Sequence, residues 1–355
     1  YDFVLRCAEQ AVNTRHIPKI LYHWRAHKDS TAENPESKRY AFEAGIRAIQ
    51  AHYDRCGIDA EVSAEQLNGI YRSKYRLKEQ PLVSVIIPNK DHTEDLDKCI
   101  RSIEEKGTYK NIEYIVIENN SQKKETFAYY EKLQAENPKV KVVFWEREFN
   151  YSAINNYGVG FAKGEYLLFL NNDTEIINPD CIEELLGYCM RDDVGIVGAR
   201  LYYEDDTIQH VGVIIGLGGV AGHTFVGEPK DSLGYFGRIV TAQDYSAVTA
   251  ACLMTKRKVF EKVNGFEEKL AVAFNDVDFC LKVREAGYLV VYNPYAELHH
   301  YESKSRGLED TEEKVLRFQG EIRTFQYRWK EILNEGDPYY SPNLTLDKTD
   351  FSLRI

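Results

Sequence analysis

The sequence predicts an α/β chain: a Rossmann-like, doubly wound, mostly parallel sheet with helices on both faces, extended by helical segments at its N- and C-terminal ends. Three observations carry this. From Pro81 to Val197 strand-like and helix-like segments alternate, the rhythm of βαβ units. The strand segments are short, nearly continuous apolar runs, as expected of strands covered on both faces. Polar clusters follow them directly, at the carboxyl ends where such sheets gather ligands.

Taken in order, Phe42, Ile46, Ile49 and Tyr53 form one stripe of an amphipathic helix over residues 39–55, ending near Gly57. Pro81-Leu-Val-Ser-Val-Ile-Ile-Pro88 reads as the first strand of a new domain. Thr93 is an N-cap candidate for a helix bearing Leu96, Ile100 and Ile103, with Gly107 as its stop. Strands are then expected at 112–117, 140–145 and 166–170, with helices at 123–136 and 152–163 between them. Asn178-Pro179 has the form of a helix start, and Val194 to Val197 resumes the sheet. Residues 201–250 lose the rhythm and crowd glycines (Gly212, Gly216, Gly218, Gly219, Gly222, Gly227), which predicts loops or a small antiparallel insertion. Val315, Phe318, Ile322, Phe325, Trp329 and Ile332 repeat at three and four, giving one long helix over 308–333 before a Pro/Tyr/Asn-rich tail.

Three parts follow: 1–80, 81–307 and 308–355. A constant offset superposes Asp2-Phe3 on Asp278-Phe279, Leu5 on Leu281, Arg6 on Lys282, Pro18 on Pro294, His23 on His299 and Lys28 on Lys304 without a gap. Residues 1–31 therefore read as the tail of a preceding copy of the domain at 81–307. The opening Tyr1-Asp2-Phe3 reads as an internal start, so the chain is expected to be a fragment of a tandem protein.

With 355 residues, 43% hydrophobic and 28% charged, the chain can bury a substantial core. No stretch approaches the roughly 20 apolar residues that span a bilayer. The net charge of −11 argues against a nucleic-acid surface held by phosphate contacts. An acidic protein handling a diphosphate would bridge to it through a divalent cation. The seven cysteines are odd in number, lack metal-ligand spacing and read as reduced thiols in apolar settings, which fits a cytoplasmic location.

The chemistry is expected at strand ends. Pro88-Asn89-Lys90-Asp91 and Glu118-Asn119-Asn120-Ser121 offer acceptors and donors suited to a base and ribose, or else simple turns. Asn171-Asn172-Asp173 follows Leu167–Leu170; Asp173 could help hold Mg²⁺ or Mn²⁺ together with diphosphate oxygens, and an Asx turn is the plain alternative. Asp276 and Asp278 open a helix, where capping competes with a general-base role. His299-His300 through Arg306 offers imidazole and a guanidinium fork for phosphate, against an ordinary surface loop.

Together these segments resemble the inverting glycosyltransferases of family 2, with the GT-A fold, especially bacterial enzymes that build cell-surface polysaccharides such as rhamnose-containing chains. The resemblance covers roughly 81–307. It implies base and ribose contacts from Asp91, Glu118 and Asn120, where Glu118 replaces the commoner Asp. It implies metal ligation by Asp173, matching an Asp-x-Asp motif whose first acid is here Asn171, and by His300 in preference to His299. It implies Asp276 as the base, with Asp278 positioning acceptor or loop, and makes Gln209-His210, Gly218-Gly219 and Val248–Cys252 substrate-facing loops. The implied donor is a UDP- or dTDP-sugar with Mn²⁺ or Mg²⁺. The implied acceptor is a carbohydrate, lipid-linked in much of the family, met at the inner face of the plasma membrane by a peripherally associated enzyme. A nucleotidyltransferase would instead carry a Gly-rich basic loop after Pro88, and none is evident. A sugar-binding scaffold would need neither Asp173 nor Asp276.

Overall fold

The computed structural model describes residues 1–15, 17, 19, 21–23, 25, 39–65, 69–301 and 311–354. They fall into two compact units, Tyr1–Lys78 with Ser341–Asn343, and Glu79–Tyr340 with Leu344–Ile355. Pro18, Lys28, Lys304 and Arg306 lie outside the described residues.

In the first unit, helices α1 (Asp2–Gln10) and α2 (Arg39–Cys56) accompany an antiparallel hairpin of β1 (Ala60–Ala64) and β2 (Tyr71–Tyr75). Gln50 on α2 donates to Ala60 O (3.0 Å) and accepts from Val62 N (3.2 Å), and the Tyr53 hydroxyl reaches Ser73 Oγ at 2.7 Å. Arg55 and Glu9 join the two helices at 2.7 Å.

The second unit alternates as the sequence predicts: β3 (Val83–Asn89), α3 (Thr93–Arg101), β4 (Ile112–Glu118), α4 (Lys124–Glu136), β5 (Val140–Phe144), α5 (Tyr151–Val159) and β6 (Tyr166–Leu170). Next come β7 (Thr174–Ile176), α6 (Cys181–Cys189), β8 (Val194–Tyr202), β9 (Ile208–His210), the hairpin β10 (Val213–Ile215) and β11 (Ala221–His223), and β12 (Gln243–Asp244). The unit closes with β13 (Cys252–Lys256), α7 (Arg257–Lys262), α8 (Asn275–Glu285), β14 (Leu289–His300), α9 (Glu312–Arg328) and α10 (Lys330–Glu335). The sheet runs β12-β14-β8-β13-β6-β3-β4-β5. It is parallel across β6-β3-β4-β5 and β14-β8, and β13 is antiparallel to both of its neighbours. β3, β4 and β6 are almost entirely buried, which accounts for their apolar runs. The helix α5 lies close on this sheet because Gly158 has no Cβ; one placed there would meet Ile117 at 2.8 Å and Ile86 at 3.0 Å.

Several local expectations shift. His92, not Thr93, holds the N-cap of α3, and α5 stops at Val159, short of Gly164. Asn178-Pro179 does not open α6. The Asn178 side chain bonds instead to Glu297 N (2.8 Å) and Tyr295 O (2.9 Å) next to β14, and the helix begins at Cys181. The terminal helix is interrupted at Trp329, whose indole is committed to the Asp278 carboxylate at 2.9 Å. All seven cysteines are free, but Cys7 and Cys56 are exposed rather than set in apolar surroundings. Among the described residues no helix is long and apolar enough to cross a membrane.

Candidate active site

The chain leaves β3 for β4 and β5 on one side and returns to β6 on the other. That reversal puts the carboxyl ends of β3 and β6 at the topological switch point, where doubly wound sheets bind ligands. Asn172, just past β6, donates to Asn89 Oδ1 at the end of β3 (2.6 Å), so the two strand ends are stitched together.

The end of β4 is a closed network. Glu118 is 2% exposed, and its carboxylate accepts from Ser121 N (2.5 Å), Ser121 Oγ (2.6 Å) and the Tyr130 hydroxyl (2.6 Å). Tyr130 in turn accepts from Asn89 at 2.7 Å. Asp91, in the left-handed region at φ 58°, caps the start of α4, accepting from Gln122 N, Lys123 N and the Thr126 hydroxyl at about 3.0 Å. Burial pushes its carboxyl up, but these amide bonds outweigh that and hold it below the usual range. Asn120, also left-handed at φ 57° and exposed, ties this loop to Arg147 O at 2.7 Å. Pro88 is half-buried near the end of β3, paired across from Ile117.

The end of β6 is an open one. Asp173 is 5% exposed, yet among the described residues its Oδ1 has no hydrogen-bond partner; it stands 3.2 Å from His300 Nε2. The Asn171 amide meets the same ring nitrogen at 3.1 Å. Alternation along β14 separates the two histidines: His300 turns inward, while His299 pairs with Asp206 at 2.9 Å and is more exposed. A buried carboxylate oxygen facing an imidazole nitrogen calls for a positive species between them. The 3.2 Å separation and the carboxylate–imidazole donor set would fit a shared divalent cation.

Asp276 sits in the first turn of α8. Its carboxylate accepts from Val277 N (2.8 Å) and Ala250 N (3.1 Å) and remains half-buried at the cavity wall. The segment Thr249–Ala251 joins both carboxylate sites. Ala251 O accepts from Asn171 N (3.0 Å), Ala250 O from the Tyr151 hydroxyl (3.0 Å), and Thr249 N donates to His210 Nε2 (3.3 Å). Burial drives His210 well below its ordinary value, so it stays neutral and can accept. One turn past Asp276, fully buried Phe279 packs on Phe266 at 4.7 Å between centroids; such burial contributes about 1.5–3 kcal/mol and fixes the rotation of α8. From the far side α9 holds the approach to α8. The Glu321 carboxylate accepts from Val272 N (2.8 Å) and Ala273 N (3.2 Å), and Phe318 and Phe325 pack on Phe274, which adopts φ 61°.

Asn171, His300 and Asp276 thus line one cavity of about 390 Å³, together with Tyr151, Gln209 and His223. Asn89, Asn172 and Glu118 lie behind it as buried scaffolding, and Asp91 and Asn120 shape the neighbouring loops. Asp278 faces away, bonded to Trp329 and Arg328, so it seats α9 rather than the cavity. Sequence reasoning grouped Gln209 only loosely with substrate loops and passed over Tyr151, His223 and Glu321. The single available signal for Gln209 and His223 was polarity inside an otherwise apolar, Gly-rich stretch.

The family model described as Glycosyl transferase family 2 matches residues 84–263. The chain is 45% identical over 357 residues to an uncharacterized protein of Sinorhizobium fredii, a match covering 99% of this chain and 39% of that protein. It is 36% identical over 356 residues to the O-antigen biosynthesis protein RfbC of Myxococcus xanthus, covering 100% of this chain and 27% of that one. The chain therefore spans well under half the length of these relatives. Among solved structures it is similar to GalNAc-T7 with UDP, GalNAc and Mn²⁺, with TM-score 0.56 and 14% identity over 72% of this chain and 50% of that one, a likeness of fold.

Proposed function

The chain belongs to glycosyl transferase family 2, and from that premise we propose that it moves a sugar, with inversion, from a nucleoside-diphosphate sugar to a hydroxyl of a growing cell-surface glycan. The observation that carries this reading is the buried Asp173 oxygen, without a hydrogen-bond partner among the described residues and 3.2 Å from His300 Nε2, with His300 and Asp276 lining one cavity.

In this reading the loops at 88–91 and 118–121 hold base and ribose, with Asp91 and Asn120 shaping them, and Arg306 reaches the phosphates. Asp173 and His300, with Asn171 beside them, would hold Mn²⁺ or Mg²⁺, which would supply positive charge to offset that of the departing diphosphate. Asp276 accepts the proton of the acceptor hydroxyl as its oxygen bonds to the anomeric carbon. The bond from that carbon to the phosphate oxygen breaks, and its electron pair leaves with the nucleoside diphosphate. One displacement inverts the centre with no covalent enzyme intermediate. The amides of Val277 and Ala250 keep the Asp276 carboxylate oriented through this step.

Similarity to a protein named for O-antigen biosynthesis supports a cell-surface glycan as acceptor. A lipid-linked acceptor, met at the cytoplasmic face of the plasma membrane, extends the same reading. The recurrence of Asp2–Leu5 at Asp278–Leu281, helical in both places, supports residues 1–31 as the tail of a preceding unit.

Calorimetric titration of UDP, dTDP and GDP, each with and without Mn²⁺, tests the reading. Mn²⁺-dependent binding of one nucleotide, lost in Asp173→Ala, is expected and identifies the donor. Failure of all three to bind in the presence of Mn²⁺ overturns it.

A further inference from the structure

We infer that Gln209 is a positioning residue that sets the tautomer of His300 and thereby presents its Nε2 lone pair to the cation. The inference rests on the reading that Asp173 and His300 hold that cation. Gln209 is 4% exposed and grips His300 twice: its Nε2 donates to the His300 carbonyl at 3.1 Å, and its Oε1 meets His300 Nδ1 at 2.6 Å. A backbone carbonyl can only accept, so the amide of Gln209 must point its nitrogen there and its oxygen at the ring. That oxygen can only accept in turn, so Nδ1 carries the hydrogen. A neutral imidazole protonated on Nδ1 has its lone pair on Nε2, the atom 3.2 Å from Asp173 Oδ1. The Asn171 amide at 3.1 Å from Nε2 is a donor matched to the same tautomer. Because these two bonds go to one residue, they also fix the ring plane relative to the strand.

Outer partners of this kind typically cost 10–100-fold in metal affinity when removed. The test uses Mn²⁺ as the probe on the full chain, by calorimetry, with Gln209→Met and Gln209→Glu. Gln209→Met keeps the volume but loses the acceptor, and its Mn²⁺ affinity is expected to fall roughly 10–100-fold. Gln209→Glu keeps an acceptor for Nδ1–H, charged or neutral, and is expected to stay within about threefold of wild type. Nitrogen-15 NMR of the His300 ring, identified as the signal missing in His300→Ala, is expected to show the Nδ1–H form in wild type and its loss in Gln209→Met. Wild-type affinity in Gln209→Met, equal losses in both variants, or an Nε2–H ring in wild type would each overturn the inference. Failure of wild type to bind Mn²⁺ while showing the Nδ1–H ring would sink the cation reading instead and leave the positioning of the ring standing.

Discussion

Glu118 and Asp173 follow from strands that flank β3 on either side, and both carboxylates are nearly inaccessible, at 2% and 5% exposure. Their surroundings differ in one respect. Glu118 is met by three donors from Ser121 and Tyr130, and the loop after β4 is folded around it. Asp173 keeps one oxygen without a donor, turned toward an imidazole. Burying a carboxylate with its bonds incomplete is expensive; the first arrangement is met by the protein's own donors, and the second leaves an oxygen open to a ligand. Asp276 stands between them, with one amide on each oxygen and an open side toward the cavity.

The comparison can be broken at each position. The largest effect is expected at Asp276: Asp276→Asn should lower sugar transfer by about 10²–10⁴-fold with donor affinity unchanged, read by product chromatography beside nucleotide titration. Unchanged turnover would remove its role as base. Next, Asp173→Asn should abolish Mn²⁺-dependent nucleotide binding while the protein stays folded, read by nucleotide titration beside thermal unfolding. A large drop in stability without loss of metal binding would reverse the assignment. Glu118→Gln should do the opposite, costing about 1–3 kcal/mol in urea unfolding as its new N–H groups face existing donors, with Mn²⁺ binding intact.

The smallest effect concerns Asp278, a third buried carboxylate. Burial raises it above the usual range despite Trp329, Arg328 and Lys282. The folded protein then binds that proton more tightly than the unfolded chain, so stability falls as pH rises through the carboxylate range. Wild type should lose ground to Asp278→Asn between about pH 3 and pH 6, in paired denaturation curves. A difference constant across that window would contradict an upward shift at Asp278.

The strand–helix alternation and the strand-end clusters were legible because both faces of β3, β4 and β6 are covered, leaving runs such as Val83–Ile87 that only a buried strand tolerates. The antiparallel β13 was not, since its pairing with β6 and β8 is set by distant residues and leaves no local period. At the site, Asp173 and Asp276 could be singled out because one lies just past β6 and the other in the first turn of α8. Gln209, His223 and Glu321 could not. Their positions depend on how an irregular insertion and a late helix fold back on the sheet, and no spacing within the sequence encodes that. Asn178 shows the same limit at short range: a cap-and-proline pair was overridden by two hydrogen bonds beside β14.

The hold that Glu321 and Trp329 exert on the approach to α8 and on α8 itself bears on the order in which the molecule is completed during synthesis. A ribosome delivers the strands and Asp276 well before these two side chains emerge. The sheet can assemble while Val272, Ala273 and Asp278 still lack their final partners, so the turn that carries Asp276 gains these contacts only when α9 arrives. The turn that carries Asp276 would be settled late, on a nascent chain whose sheet had already formed.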